Sequence, residues 1–230
     1  MNDPAHWDSL AQRDADEADR MTRMYCEAAW QLADLPQGTR VLDVATGAGA
    51  LLSIALQGGA DAIGIDFSPG MVSVAQERAA AISPGDRALV MDGQALDFAD
   101  ASFDAAFSMF GVFMFPDPIA GFAEIARVLR PGGRLLSLDF NRPESRVVRA
   151  CFLAYLTAVG GALGWLLHRD PDTYRYIPAS IRRYPGAAGV ARKLVTHGFM
   201  DVRAIPLLFG LMSLHRATRS SSIDRVTTGR

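Results

Sequence analysis

The chain has 230 residues, half of them hydrophobic, and a formal net charge of −2. This length fits one α/β domain with an elaboration, and the near-neutral charge, with arginines scattered along the chain, gives no basis for a nucleic-acid partner. Cys26 and Cys151 lie far apart without metal-ligand spacing, so we expect reduced thiols in a cytoplasmic protein.

The predicted elements begin with an amphipathic helix over residues 8–35, in which apolar residues recur among many charges. The acidic residues ahead of it have neither the basic nor the apolar region of a signal peptide. After Pro36-Gln-Gly38, strands alternate with helices, which indicates a mostly parallel sheet covered on both faces. The strands are predicted at 40–46, 61–66, 87–91, 103–109 and 134–140, and the helices at 50–57, 69–81 and 118–129.

The last third of the chain breaks this alternation. An apolar run from Ala150 to Leu167 is near the lower length limit of a membrane span, but its Gly-Gly pair, Thr157 and its place inside an otherwise soluble domain argue against spanning, and we interpret it as a helical lid. Its apolarity suits a hydrophobic acceptor or a peripheral membrane contact, with packing on the sheet or in a homodimer as the alternative. A helix near 187–197 and strands near 200–205 and 207–215 follow. The predicted organisation is a single domain with an N-terminal cap (1–36), a cofactor-binding core (37–142), a lid (143–185), a C-terminal helix and hairpin (186–216) and a flexible tail (217–230).

The first strand leads into a glycine-containing turn, Val41-Leu-Asp-Val-Ala-Thr-Gly-Ala-Gly49. Gly47 and Gly49 permit a tight turn and let a ligand lie directly on the main chain. The helix that follows offers free N–H groups at its first turn. Asp66 ends the second strand about 20 residues further on, the offset at which an acid accepts hydrogen bonds from ribose hydroxyls. These features predict a nucleoside pocket.

Two kinds of nucleoside ligand compete for such a pocket. A dinucleotide favours a third glycine, but Leu52 stands at that position. Asp43, just ahead of the glycines, would repel a pyrophosphate and attract a cation. S-adenosylmethionine carries a sulfonium and an ammonium and no phosphate, so the two acids favour it. The alternative is that both acids are ordinary solvated strand ends.

Five motifs in order resemble those of class I S-adenosylmethionine-dependent methyltransferases. They are Asp43-x-Ala-Thr-Gly-x-Gly49, Gly64-Ile-Asp-Phe-Ser-x-x-Met71, Met91-Asp-Gly-Gln-Ala-Leu-Asp-Phe98, Ser102-Phe-Asp-Ala105 and Val128-Leu-Arg-Pro-Gly-Gly133. Downstream, Leu138–Pro143, Asp172–Pro185, His197-Gly-Phe199 and Leu214-His-Arg216 resemble the ubiquinone/menaquinone biosynthesis C-methyltransferases. The resemblance implies a Rossmann-like class I fold: a mostly parallel seven-stranded sheet with an antiparallel C-terminal strand, N-terminal helices and a helical lid insertion.

The resemblance also implies a set of cofactor-binding residues and no metal site. Asp43 would lie near the methionine end of S-adenosylmethionine, Asp66 on the ribose and Phe67 against the adenine. Asp92 would accept from the adenine amino group, although an ordinary turn residue before Gly93 is the alternative. Ser108 would face the neighbourhood of the methyl group, unless it is simply a satisfied hydroxyl. The complete predicted set is Asp43, Ala45, Thr46, Gly47, Gly49, Asp66, Phe67, Met71, Asp92, Gly93, Gln94 and Ser108.

Attack by a ring carbon needs a group that stabilises the oxyanion of a phenol or quinol. Arg183 is the leading candidate for this role, and the adjacent Arg182 is the alternative. Asp139, at the end of the fifth strand, is the best carboxylate candidate. His168 and His6 are weaker ones. Tyr174, and Tyr176 beside it, could line the acceptor pocket, although core tyrosines are as common.

The sequence thus predicts methyl transfer from S-adenosylmethionine to a small hydrophobic aromatic or quinol-like acceptor, at carbon. Methylation of oxygen or nitrogen in a small secondary metabolite is one alternative. A cofactor-binding protein or cyclase that does not methylate is the other.

Overall fold

Seven strands form one sheet within residues 4–169 and 174–221, the part of the chain that the computed structural model describes. Their order across the sheet is 3-2-1-4-5-7-6, and only the seventh runs antiparallel to its neighbours. This confirms the predicted mostly parallel sheet. The strands are β1 (Arg40–Val44), β2 (Asp61–Asp66), β3 (Ala88–Val90), β4 (Phe103–Met109), β5 (Leu129–Phe140), β6 (Phe199–Leu207) and β7 (Met212–Arg219).

Helices cover both faces of the sheet, and each face has its own hydrophobic core. The first three helices pack on one face and the last four on the other. Such double coverage explains why β1 and β4 are buried along nearly their whole length. The helices are α1 (Pro4–Ala33), α2 (Ala50–Gln57), α3 (Pro69–Ala80), α4 (Pro118–Val128), α5 (Arg146–Leu163), α6 (Tyr176–Arg183) and α7 (Ala187–Thr196).

Side-chain caps fix where several of these helices begin. The Ser68 hydroxyl accepts from the Met71 N–H at the start of α3, and the Asp117 carboxylate accepts from two N–H groups at the start of α4. Each cap is followed directly by a proline, which needs no N–H partner in the first turn. Ser145 caps α5 in the same way.

The structure differs from the predicted elements mainly after residue 170. Helix α6 lies in the Pro- and Tyr-rich stretch for which no element was predicted; Pro178 is tolerated there because it falls in the first turn. The strand predicted at 207–215 was wrong in position. A tight turn occupies Leu208–Gly210, with positive φ at Phe209 and Gly210, and β7 extends to Arg219. Residues 217–219, predicted as tail, therefore belong to the sheet.

The carboxyl ends of the parallel strands meet at one edge of the sheet, which is called the carboxyl edge below. The turns after β1, β2, β4 and β5 all lie there. In open α/β sheets, ligands bind at this edge where the strand order reverses, here between β1 and β4.

Candidate active site

The glycine turn after β1 is shaped by three residues in the left-handed region, at Ala45, Gly47 and Gly49. The Thr46 N–H donates to the Ile65 carbonyl at 2.8 Å, which holds the turn against β2. A Cβ at Gly49 would lie 3.0 Å from the Ala75 Cβ, so the glycine also lets α3 pack closely. Ala45 adopts its strained conformation without being a glycine, a feature that concentrates at functional sites.

Asp43 is buried beneath this turn. Its carboxylate accepts from the Thr46 hydroxyl at 2.6 Å and from the Leu52 N–H. Burial raises the pKa of Asp43 to about 7, although both hydrogen bonds oppose the rise and the charge of Asp66 adds to it. A nearby cation would favour the ionised form. Asp43 therefore fixes the turn and supplies negative charge that a cationic ligand can use.

Asp66 closes the other side of the same pocket. One carboxylate oxygen accepts from the Gly47 N–H and the other from the Ser68 N–H, each at 3.0 Å. Burial raises the pKa of Asp66 despite these bonds. Each carboxylate oxygen has a further acceptor position, so ribose hydroxyls can bind while the two turns stay joined.

Asp8 of α1 approaches this pocket from outside the sheet. Its carboxylate accepts from the Ser68 hydroxyl at 2.6 Å and from the Gly70 N–H at 2.7 Å, at the beginning of α3. The hydrogen bond from Ser68 is the main reason that the pKa of Asp8 is lowered. The N-terminal helix is thereby attached next to the predicted ribose site.

On the predicted adenine side, Asp92 accepts from the backbone and side-chain amides of Gln94 at 2.9 and 3.1 Å. The side-chain oxygen of Gln94 accepts from the Asp117 N–H, linking this turn to α4. A Cβ at Gly93 would lie 2.6 Å from the Phe115 ring. Asp92 thus has the geometry of a turn residue, and its contact with an adenine stays a prediction. Phe67 is half-buried, and Met71 is buried.

Aromatic rings line the carboxyl edge beyond the glycine turn. Phe110 lies 5.7 Å from Tyr25 of α1 and 5.6 Å from Phe140, and Phe113 lies 5.5 Å from Phe140, between ring centroids. Phe110 has φ 60 and is the second strained non-glycine residue at this edge. These four rings are called the aromatic row below. Tyr25, Phe110 and Phe140 are half-buried and provide an apolar surface next to the pocket, while Phe113 is buried against Phe140.

Gly111 joins the aromatic row to the glycine turn. A Cβ at this position would lie 2.5 Å from the Ala45 Cβ and 2.8 Å from the Ser108 hydroxyl. The turns after β1 and β4 therefore touch because residue 111 has no side chain. Ser108 itself is fully buried, and its hydroxyl has no hydrogen-bond partner among the described residues. Its predicted place beside the methyl group remains untested.

Asp139 lies under α6 and is fully buried, with an exposed fraction of 0%. Its carboxylate accepts from the Ser137 hydroxyl at 3.0 Å, the Tyr184 hydroxyl at 3.1 Å and the Phe113 N–H at 3.3 Å. Burial raises the pKa of Asp139 to about 6, and the three bonds limit the rise. This enclosure favours an indirect role, in which Asp139 holds α6 through Tyr184.

Arg182 and Arg183 end α6 and are exposed, immediately before the anchored Tyr184. Tyr174 is half-buried against α5. A Cβ at Gly160 of α5 would lie 3.2 Å from the Tyr174 Cβ. Tyr176 packs edge-on against Trp7 of α1, with ring centroids 5.0 Å apart. The side chains of His6 and His168 lie outside the described residues.

The structure therefore places the predicted cofactor residues at the carboxyl ends of β1 to β4 and groups Arg183 and Tyr174 around α6. Sequence reasoning missed Asp8, Phe110 and Tyr184 as parts of the site. Asp8 and Tyr184 act through partners distant in sequence, so no local pattern marks them. Phe110 follows a strand end directly and could have been found by its position beside Gly111.

The residues at the pocket fit S-adenosylmethionine. Two buried carboxylates face the turn, while a pyrophosphate would need N–H groups and positive charge. The glycine turn leaves the backbone open to a ligand, since a Cβ at Gly47 would meet nothing within 4 Å. Asp66 would hold the ribose, and Asp43 would lie on the side of the cationic methionine end.

Comparison with known proteins agrees with this site. The sequence matches the profile of the ubiE/COQ5 methyltransferase family over residues 20–219. It is 34% identical over 196 residues to a demethylmenaquinone methyltransferase of Corynebacterium kroppenstedtii, covering 85% of this chain and 83% of the relative. It is 33% identical to the Parafrankia enzyme of the same name, covering 96% and 94%. Among solved structures, an S-adenosylmethionine-dependent methyltransferase of Aquifex aeolicus shares the fold with a TM-score of 0.61 and 18% identity, covering 95% of this chain and 99% of the other.

Proposed function

Because this chain belongs to the ubiE/COQ5 methyltransferase family, we propose that it methylates a ring carbon of a hydrophobic quinol of the demethylmenaquinol type. The chain is an S-adenosylmethionine-dependent methyltransferase, as the family and the named relatives establish. The quinol acceptor is the part that we add. The names of the relatives suggest the type of acceptor, and the aromatic row supports it.

The aromatic row is the observation that carries the proposal. Phe110 and Phe140 are half-buried at the carboxyl ends of β4 and β5, and Gly111 connects them directly to the cofactor turn. A flat aromatic acceptor can pack against such rings in offset or edge-on geometry. An acceptor held there would lie next to the methionine end of the cofactor and away from water, as in-line transfer requires.

When bound, S-adenosylmethionine supplies a methyl group activated by its sulfonium. The methyl–sulfur bond breaks as the methyl–carbon bond forms, and the ring carbon then gives up its proton. The products are the methylated quinol, S-adenosylhomocysteine and one proton. The protein must therefore hold the ring carbon in line, exclude water and stabilise the quinol oxygen as an anion.

Arg183 is the residue that we assign to the quinol oxygen. It ends α6, and the next residue, Tyr184, is anchored to the buried Asp139. A guanidinium at this place can donate to a phenolate or orient a water that accepts the ring proton. In this assignment Asp139 and Tyr184 are positioning residues, and Tyr174 lines the acceptor pocket.

We also place the enzyme in the cytoplasm. Cys26 is buried and Cys151 exposed, and neither forms a disulfide bond, as expected in a reducing compartment. The curated relatives come from bacteria and carry the name of a biosynthetic enzyme.

The experiment is a methylation assay with S-adenosylmethionine and a short-chain, water-soluble demethylnaphthoquinol kept under reducing conditions. We expect S-adenosylhomocysteine to form and the product to carry the methyl group on the ring carbon, as identified by mass spectrometry and NMR. A product methylated at oxygen would replace the C-methylation proposal. Tight cofactor binding without transfer to any quinol or phenol would indicate a protein that no longer methylates.

A matched pair of variants tests the aromatic row itself. Phe140→Leu should raise the KM for the quinol while leaving cofactor affinity unchanged, because the ring belongs to the proposed acceptor surface and not to the predicted cofactor-binding set. Phe98→Leu is the control, since Phe98 packs on Phe103 at the opposite end of β4. Equal KM values in both variants would remove the aromatic row from the acceptor site.

A further inference from the structure

Helix α5 carries apolar side chains on the side that faces away from the domain. Tyr155 is 60% exposed and Leu166 is 66% exposed, and both lie within residues 150–167, which contain no charged residue. A surface helix of a globular domain normally has charged or polar residues on its outer side. A π-helical turn, Gly164–His168, continues α5 without a break. The exposed apolar residues of the two are Val147, Val148, Tyr155, Leu163, Trp165 and Leu166, called the apolar face of α5 below.

The opposite side of α5 is packed on the domain. Phe152 is buried in the second core, and Leu153 and Leu156 pack against that core. The segment Arg146–Leu166 has the length and composition of a membrane-crossing helix, but only 11% of its apolar window is buried. The helix is therefore apolar on both sides, and only one side has a partner among the described residues.

The polar groups of α5 are arranged as in an apolar environment. The Thr157 hydroxyl donates to the Leu153 carbonyl at 2.7 Å, so it is satisfied within the helix. At the end of the helix, the Arg169 guanidinium lies 5.1 Å from the centre of the Trp165 ring. Tryptophan is enriched at the boundary between hydrocarbon and water, and an arginine near a helix end can reach that boundary.

A second apolar projection lies at the same edge of the sheet. Phe209 is fully exposed and Leu208 more than half exposed, in the strained turn between β6 and β7. The Asn141 side-chain amide donates to the Gly210 carbonyl at 2.8 Å, which attaches this turn to the end of β5, shortly before α5 begins. The turn exposes an aromatic ring at a place where turns usually carry Gly, Asn, Asp or Ser.

The sequence on either side of α5 carries an excess of positive charge. Between residues 142 and 183 the chain has seven arginines and three acidic residues, against a net charge of −2 for the whole chain. The uncharged run of α5 lies between Arg149 and Arg169. Arginines that border an apolar surface complement the anionic headgroups of a lipid membrane, each contributing about 1 kcal/mol near the membrane surface.

We propose that the apolar face of α5, together with Phe209, docks the enzyme on the surface of an anionic lipid membrane. Helix α5 lies in the plane of the interface and does not span the bilayer, because spanning would remove Phe152 from the core. The docking is inferred from this surface alone. Its purpose would be access to a quinol dissolved in the bilayer, and that part rests on the proposed function.

The test measures co-sedimentation of the full chain with vesicles of mixed phosphatidylglycerol and phosphatidylcholine, and with vesicles of phosphatidylcholine alone. We expect binding to the mixed vesicles, weakened by added salt, with a blue shift of tryptophan emission that Trp165→Phe removes. Absence of binding to mixed vesicles would overturn the proposal.

Single charges on the surface locate the contact. Tyr155→Glu and Phe209→Asp should each weaken vesicle binding by about tenfold or more, since a charge must then enter the interface. Val195→Glu is the matched control: Val195 is 59% exposed on α7, outside this surface. Equal binding by all three variants would overturn the proposal. So would a stable dimer that Tyr155→Glu converts to a monomer, because the apolar face would then be covered by a second copy of the chain.

The assay with the water-soluble quinol separates the two proposals. If that quinol is methylated but no vesicle binds, membrane docking fails and the proposed function stands. If vesicles bind and no quinol is methylated, docking stands and the acceptor assignment fails. With both correct, Tyr155→Glu should methylate the soluble quinol at the normal rate and lose activity only on a long-chain quinol presented in mixed vesicles.

Discussion

On the cofactor side of the carboxyl edge, Asp43 bonds to Thr46 and Asp66 to Gly47, pairs that are 3 and 19 residues apart in sequence, whereas on the proposed acceptor side Asp139 and Tyr184 meet across 45 residues. The cofactor side relies on backbone N–H groups and on residues in the left-handed region. The acceptor side relies on aromatic rings and on helices from distant parts of the sequence. A local turn can bind the same methyl donor in many enzymes, while surfaces built from distant helices can differ in the acceptor they receive.

This difference predicts that changes on the acceptor side reduce turnover and leave cofactor affinity nearly intact. Arg183→Ala should lower kcat by roughly 10²–10³-fold, the usual loss on removing a donor to a developing oxyanion. Steady-state kinetics and calorimetric titration with the cofactor provide the two readouts. Arg182→Ala is the control on the same turn of α6, and normal turnover in Arg183→Ala would move the catalytic role elsewhere.

Gly111 joins the two sides, so a side chain there should impair both. Gly111→Ala places a methyl group where the Ala45 Cβ would be 2.5 Å away, and one of the two turns must move. We expect a loss in kcat/KM on the order of 100-fold, as for misplacements of about 1 Å, with weaker cofactor binding as well. Gly132→Ala is the control: a Cβ at Gly132 would meet nothing within 4 Å, so only the backbone, with φ +80, is strained. That variant should lose some stability and no activity, and a similar result for Gly111→Ala would mean that the two turns are independent.

Asp66→Ala should affect the cofactor side alone. The variant loses a charge-assisted hydrogen bond to ribose and two bonds to backbone N–H groups, and cofactor affinity should fall by roughly 1.5–3 kcal/mol. Calorimetry measures this change directly. Asp61→Ala, at the exposed beginning of the same strand, is the control. Unchanged affinity in Asp66→Ala would refute the assigned role.

The same contrast explains what the sequence could predict. The β2, β4 and α2 boundaries agree with the predicted ones, because glycine turns and caps mark them locally. The cofactor turn was predictable for the same reason. Its strain at Ala45 was not, because nothing in the sequence distinguishes this alanine from one with ordinary geometry.

The acceptor side was less predictable because its contacts are made by packing. Helix α6 was missed since Pro178 and the tyrosines resemble a loop until the first-turn position of the proline is known. Asp139 has the expected place at the end of β5, but its burial depends on Tyr184, which no periodicity connects to it. The apolar run at 150–167 was identified from the sequence, while its outward-facing side became visible only in the structure.

The smallest predicted effect concerns pH and the stability of the cofactor-free protein. Folding raises the pKa of Asp43 from 3.8 to about 7 and that of Asp139 to about 6. The protonated forms are thus favoured in the folded state, and their stabilising contribution, complete below pH ~4, is lost as the pH rises through these values. The free energy of unfolding should therefore fall between pH 5 and pH 8.

Asp43→Asn isolates the part of this pH-dependent loss of stability that comes from the cofactor side. The asparagine carbonyl can still accept from the Leu52 N–H, and the Thr46 hydroxyl can rotate to accept from the new amide. Urea unfolding at several pH values should show a smaller fall in this variant, with a gain on the order of 2 kcal/mol over the natural protein at pH 8. The fall that remains belongs to groups such as Asp139. If both proteins lose the same stability, Asp43 is already ionised at pH 5 and its burial is compensated by the turn. A smaller fall combined with weaker cofactor binding would mean that the charge which destabilises the empty turn is the one that binds the cationic methyl donor.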